Sequence, residues 1–376
     1  MTKSKIIILS DVHMSNDAYY SWFKRTSENN YVQCITDMLE MVAADQEVTE
    51  LLLLGDFFDL WLYPADMVPW TAQEVMTHWD STVFNALRKC VAKLPKVFYQ
   101  NGNHDMTVTA EEVGTIEAGG KQVQWISVEE YSKKYEPLLH AEHGNAIDMF
   151  NAPDHSPGAV NSKPLGYYMA RILASKPDKS GGVSAWGQMT EVIEKACASY
   201  TPESGLEDGS KMVSKLIDLL VEEVQSVGGK MNDQTVFRFA DSGQDVTIGT
   251  VKKGYQDILN RWYRKDDKEW LPNCAMAMFK PQRAGLNWYA ERLIDSSKAK
   301  VVVMGHVHHD EWEDYSEKSA SGTYVNDGCW CAATPDHTPY YVEIEIQPEE
   351  EIAVSLMKWD SATQKGILVK SSSSSS

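Results

Sequence analysis

The run Leu51-Leu52-Leu53-Leu54-Gly55-Asp56-Phe57-Phe58-Asp59 limits what this chain can fold into more than any other stretch. Four leucines in succession suit a strand buried on both faces. The Gly-Asp pair that follows puts a carboxylate at the C-terminal edge of that strand, where open α/β sheets bind their ligands. The event recurs along the chain. Lys5 to Leu9 runs into Ser10-Asp11-Val12-His13, and Val97-Phe98-Tyr99 runs into Asn101-Gly102-Asn103-His104-Asp105. Leu138-Leu139 leads to His143-Gly144-Asn145, and Val301 to Met304 leads to Gly305-His306-Val307-His308.

The connections between these strands carry helical patterns. Val32, Ile35, Met38, Leu39 and Val42 fall on one stripe, and so do Val75, Trp79, Val83, Leu87, Cys90, Val91 and Leu94. Thr71 with Glu74 resembles a capping box, and Pro95 ends that helix. Two successive βαβ units result. Gly119-Gly120 reads as the turn of a hairpin between Gly114-Thr115-Ile116 and Gln122 to Ile126.

From about Phe150 to Ser297 the strand-and-tip alternation stops. Helical patterns over Leu165 to Ala174, Met189 to Tyr200, Ser210 to Val227 and Gln282 to Ile294, with proline and glycine breakers between them, predict an inserted, mainly helical lid over 150–298. The core then has a first part over 1–149 and a second over 299–365. Thr323-Tyr324-Val325, Tyr340 to Ile346 and Ile352 to Met357 are read as late antiparallel strands forming the second sheet of a sandwich. Residues 366–376, ending in six serines, are read as a tail.

With 376 residues and 43% hydrophobic content, the chain can bury a sizeable core. A net charge of −19 argues against a nucleic-acid partner, since such binding needs a basic footprint. It leaves a small phosphate ester open, because bound cations reverse the local potential. No stretch approaches the ~20 apolar residues of a membrane span, and the expected location is cytoplasmic. The six cysteines form no disulfide framework, and Cys329 with Cys331 is read as a reduced pair.

Asp11, His13, Asp56, Asn103, His143, His306 and His308 are of the types that bind first-row cations. Singly, each motif suits capping as well as ligation, and His140 rivals His143. Gathered by a sheet, the set could hold two metals with Asp56 as the bridge. The combination DxH, GDxxD, GNHD, a later His-Gly and GHxH, over Lys5 to about Asn145 and Lys300 to about Ile346, resembles the calcineurin-like metallophosphoesterases.

That resemblance implies a four-layer αββα sandwich and a phosphoesterase with two divalent or trivalent metal ions, manganese first, with iron, zinc and cobalt as alternatives. One ion would be held by Asp11, His13, Asp56 and His308, the other by Asp56, Asn103, His143 and His306. His104 would be the general acid, oriented by Asp59, while a hydroxide shared by two cations about 3.5 to 4 Å apart attacks in line. The substrate would be a phosphomonoester, phosphodiester or pyrophosphate. Asp105 is read mainly as a support for the Asn103-His104 loop.

Three alternatives stand beside this reading: an enzyme resembling the UDP-diacylglucosamine pyrophosphate hydrolases, a nuclease of the same superfold, and a catalytically silent metal-binding scaffold. GDFFDLW suits the first, but those enzymes usually carry Arg where His104 stands, and their lid is generally shorter. In the lid, Tyr167, Tyr168, Arg171, Trp186, Arg238, Trp262, Arg264, Trp270, Arg283 and Trp288 suit either a nucleotide or sugar-phosphate contact or the lid's own core.

Overall fold

The apolar runs become strands, and their polar tips meet at one end of two sheets. The computed structural model describes residues 4–23, 30–156, 159–177, 184–200, 206–239, 246–277, 285–315, 321–333, 338–349 and 351–372. The chain begins with β1 (Ser4–Leu9), α1 (Tyr31–Ala44), β2 (Val48–Leu54), α2 (Ala72–His78), α3 (Asn85–Lys93) and β3 (Lys96–Gln100). The Thr71 side chain accepts from Glu74 N while Glu74 accepts from Thr71 N, so the capping box forms.

The hairpin at Gly119-Gly120 is shorter than its sequence pattern. After α4 (Ala110–Gly114) it consists of β4 (Glu117–Ala118) and β5 (Lys121–Gln122), while β6 (Gln124–Trp125) leaves it to pair in parallel with β3. Then come α5 (Val128–Tyr135) and β7 (Leu139–Ala141).

The insertion holds α6 (Leu165–Ala174), α7 (Ser184–Ser199), α8 (Leu206–Ser226), β8 (Val236–Phe237), β9 (Val246–Thr247), α9 (Ile248–Gly254), α10 (Ile258–Trp262), α11 (Trp270–Met276) and α12 (Leu286–Ser297). The chain ends with β10 (Val301–Met304), β11 (Asp310–Tyr315), β12 (Gly322–Asp327), β13 (Tyr340–Ile346), β14 (Ile352–Asp360) and β15 (Lys365–Ser371).

The first sheet has the order β15-β14-β13-β1-β2-β3-β6 and the second β11-β12-β10-β7. The late strands are therefore divided, against the sequence expectation. β13 pairs antiparallel with β1 and carries β14 and β15 into the first sheet, and only β10 to β12 build the second with β7. Nor is 366–371 a tail, since β15 pairs with β14 and forms the sheet's edge. Ser373 to Ser376 lie outside the described residues.

Side chains alternate along the inner strands and separate the layers. Ile6, Ile8, Leu52 and Leu54 pack with Leu139, Ala141, Val301, Val303 and Val325 between the sheets. Ile7, Leu9, Leu51 and Leu53 pack instead on Ile35, Leu39, Leu87 and Val91 of α1 and α3. Each such fully buried aliphatic side chain contributes about 1.5–3 kcal/mol. The outer face of the second sheet, with Val302, Met304 and Tyr324, shares one core with α6, α8 and α12. The insertion thus supplies an outer helical layer instead of standing apart, and the molecule is a mixed α/β protein with helices, sheet, sheet and helices in that order.

Tyr167, Tyr168, Arg171 and Trp270 belong to this layer's interior, as Trp262 and Trp288 do in part. Arg264 lies over the Trp270 ring, and Arg238 is exposed. Arg283 and the side chain of Trp186 lie outside the described residues. Among the described residues no helix is long and apolar enough to cross a membrane.

Candidate metal centre

β1, β2 and β3 are parallel to one another, and so are β7 and β10, so five strand tips open at C-terminal edges. Asp11 N donates to Gly55 O (3.1 Å) and His13 N to Asp56 O (2.8 Å), tying the first two tips together. Gly305 N donates to His143 O (3.1 Å), tying the two tips of the second sheet. The sheets are joined by His143 Nδ1, 3.0 Å from Leu54 O. His143, not His140, therefore faces the centre. His140 bonds Ser132 (3.0 Å) and lies 3.3 Å from Glu142.

Four atoms converge. His308 Nε2 lies 3.0 Å from His13 Nε2 and 3.1 Å from Asp11 Oδ1, and His13 Nε2 lies 3.6 Å from both Asp11 Oδ1 and Asp56 Oδ2. Donors bound at 2.0–2.2 Å in octahedral to tetrahedral geometry stand about 2.8–3.6 Å apart, so these four fit one first-row cation. Asp56 Oδ2 is also 3.2 Å from His143 Nε2, which places this single oxygen between the two groups. The other oxygen, Oδ1, accepts from His104 N (2.7 Å).

Burial sharpens the case. Asp11 Oδ1, Asp56 Oδ2, Asn103 Oδ1 and His143 Nε2 are buried without a hydrogen-bond partner. Polar atoms left so would each cost about 1–3 kcal/mol. A cation is a partner that Asp11 Oδ1 and Asp56 Oδ2, each 3.6 Å from His13 Nε2, could share. His306 is tied in through its N, which donates to Asp11 Oδ2 (2.9 Å), and its ring lies 5.3 Å from that of His143.

Backbone strain marks the same residues. Asp11, His13, Asp56, His306 and His308 all have φ between 49° and 74°, five of the nine non-glycine residues at positive φ among those described. Each costs about 1–3 kcal/mol, and such strain gathers at functional sites. Glycine allows the tips to close up. A Cβ at Gly305 would strike Ser10 Oγ and Asp11 Oδ2, and one at Gly102 would strike Asp56.

The electrostatics call for positive charge. Burial works against ionisation of Asp11, yet His143, His13 and His308 hold its carboxyl well below the usual range. Asp56 and Asp59 are likewise lowered against burial, Asp56 chiefly by His143 and His104, Asp59 by His104 and His13. In return, and again against burial, Asp56 and Asp11 push His143 up to about 9, while Asp11, Asp59 and Asp56 hold His13 well above its ordinary value. Several buried carboxylates thus draw protons onto rings, the charge that cations would replace.

Asp59 also lies near His13 and His104, but its Oδ1 is engaged by Trp61 N, Leu62 N and His104 Nδ1, all at 2.9 Å. Through Oδ1 it fixes the imidazole of His104, while its Oδ2, buried without a hydrogen-bond partner, lies 3.4 Å from His13 Nδ1. Trp61 stacks on the His104 ring with centroids 4.6 Å apart. Asp105 accepts from Phe57 N, Phe58 N, Gly102 N and Tyr99 Oη and so pins the second and third tips together. Burial and the nearby Asp56 charge push its carboxyl up to about 6.

Three supporting groups have no motif of their own. Asp327 accepts from Ser10 N (2.7 Å) and from Ser10 Oγ (2.6 Å), and the same hydroxyl contacts Asp11 Oδ2, which turns Oδ1 toward the centre. Trp22 is half-buried beside His13, His104 and His308. Asp148 bonds His306. Asp327 could have been found within the Tyr-Val-Asn-Asp-Gly-Cys-Trp segment, whereas nothing near Trp22 or Asp148 gives a signal.

No family model matches the chain, and no curated protein matches it. Among solved structures it is similar to GAP50, the anchor in the inner membrane complex of Plasmodium, with 9% identity over 99% of this chain and 88% of that one and a TM-score of 0.39. At that distance neither fold nor function carries over from one protein to the other.

Proposed function

We propose that the chain is a binuclear metal-dependent phosphoesterase of the calcineurin-like type that its motifs resemble. The observation that carries this reading is Asp56 Oδ2, unpartnered and buried, standing 3.6 Å from His13 Nε2 and 3.2 Å from His143 Nε2. The stacking of helices, sheet, sheet and helices is what such a fold requires, and it supports the reading.

Asp11, His13, Asp56 and His308 would hold one cation, and Asp56, Asn103, His143 and His306 the other. Bound there, manganese, iron, zinc or cobalt would acidify water and take up charge on the phosphoryl oxygens. The chain itself supplies the proton to the leaving oxygen. With Nδ1 held by ionised Asp59, His104 carries its transferable proton on Nε2, and Trp61 keeps the ring in plane. Buried walls exclude bulk water, while the half-buried Trp22, Val307 and His308 leave an approach for a small substrate.

The test is elemental analysis of the purified protein together with hydrolysis of an aryl phosphate. About two cations per chain and manganese-supported turnover are expected. Asn103→Ala and His308→Ala should each lower cation affinity about 10–100-fold and activity with it, by analogy with lesser changes around metal ligands. Turnover that survives EDTA and both substitutions would sink the proposal.

A further inference from the structure

We infer that Asp148, which no motif marks, is a positioning residue for His306 and ties the second cation seat to the insertion. This rests on the proposed binuclear centre and extends it. A neutral imidazole offers one lone pair to a cation, and the acceptor on its other nitrogen fixes which one. His306 Nε2 lies 2.9 Å from Asp148 Oδ2, so Nδ1 is the nitrogen left for ligation. The backbone of the same residue is held by Asp11 Oδ2 at φ 74°, so the ring is fixed from both ends.

The two histidines of this seat are supported unequally. His143 Nδ1 meets a neutral carbonyl, that of Leu54, whereas His306 meets a carboxylate, the stronger acceptor and the one that raises ligand basicity more. Asp148 is fully buried, and its carboxylate is held in turn by Phe150 N (2.8 Å) and Asn151 Nδ2 (2.7 Å). It lies where the chain leaves the core. Met149 N donates to Cys274 O of α11 (3.0 Å), and Gly166 N of α6 donates to Phe150 O (2.7 Å). The place of the carboxylate is therefore set by the insertion, and His306 is set by the carboxylate.

The experiment titrates Mn²⁺ into chelator-stripped full-length protein, wild type, D148A and D148N, by calorimetry with elemental analysis of the product. Wild type is expected to bind two ions. D148A should keep the first and weaken the second about 10–100-fold. D148N, whose amide oxygen still accepts from Nε2, should fall between them, a graded rescue that a merely structural role would not give. Two ions bound to D148A with wild-type affinities would overturn the inference alone, as would equal weakening of both. Wild type that binds no Mn²⁺ would overturn the proposed function and this inference together. If D148A does not fold, D148N is judged alone: selective weakening of the second ion supports the inference, and wild-type binding or equal weakening overturns it.

Discussion

His104→Asn is expected to retain both cations and to lose about 10²–10⁴ in kcat, the usual worth of a positioned general acid and about 2.7–5.4 kcal/mol of barrier. The link between residue 104 and Asp56, the proposed bridge, is its backbone N on Asp56 Oδ1, which the substitution leaves in place. Only the side chain changes, and with it the Nε2 proton that the proposed mechanism gives to the leaving oxygen. The loss should depend on the leaving group. A nitrophenolate departs without a proton, so its ester should suffer least, while an alkyl phosphate should suffer most. Steady-state kinetics on both esters, with manganese content measured on the same samples, check this. An equal loss on the two esters, or reduced metal content, would remove His104 from the acid's role.

The five tips were legible because two local rules agreed: an apolar run too continuous for a one-sided strand, followed each time by a side chain suited to cations. What could not be read was how those strands are shared between sheets. The alternation in Tyr340 to Ile346 says that one face is buried more than the other, but not against which sheet. β13 finds β1 across more than 330 residues, with Ile6 opposite Ile344. Such pairing leaves no local trace.

The supporting side chains were hidden for a different reason. Asp148 in Asn145 to Phe150 has no spacing or repeat around it, and its meaning comes from His306, 158 positions away. Asp105 sits inside a motif and could be read as a support, because its neighbours Asn103 and His104 were already marked. Trp61 closes the GDFFDLW stretch, but nothing in that stretch says that its ring meets His104. Its stacking on His104 depends on the turn that Asp59 makes with Trp61 N and Leu62 N.

Arg171→Met is expected to destabilise the protein by about 3–5 kcal/mol, a large part of the ~5–15 kcal/mol typical of a folded domain. On sequence alone Arg171 suits either a nucleotide or sugar-phosphate contact or the lid's own core; it is fully buried and its guanidinium is spent on the chain. Nε donates to Tyr63 O (2.9 Å), Nη1 to Tyr167 Oη (2.7 Å) and Arg238 O (2.9 Å), and Nη2 to the carbonyls of Pro64 (2.9 Å), Ala65 (3.0 Å) and Met67 (2.6 Å). Those carbonyls follow directly on the loop of Asp59 and Trp61, so the side chain stitches α6 to the segment that aims His104. Methionine keeps much of the stem's volume and none of the donors, and the freed carbonyls lose their partners in a buried place. A lowered urea midpoint, with cation stoichiometry unchanged in the folded fraction, is the expected result. A wild-type midpoint with a raised KM would instead assign Arg171 to the substrate's phosphate.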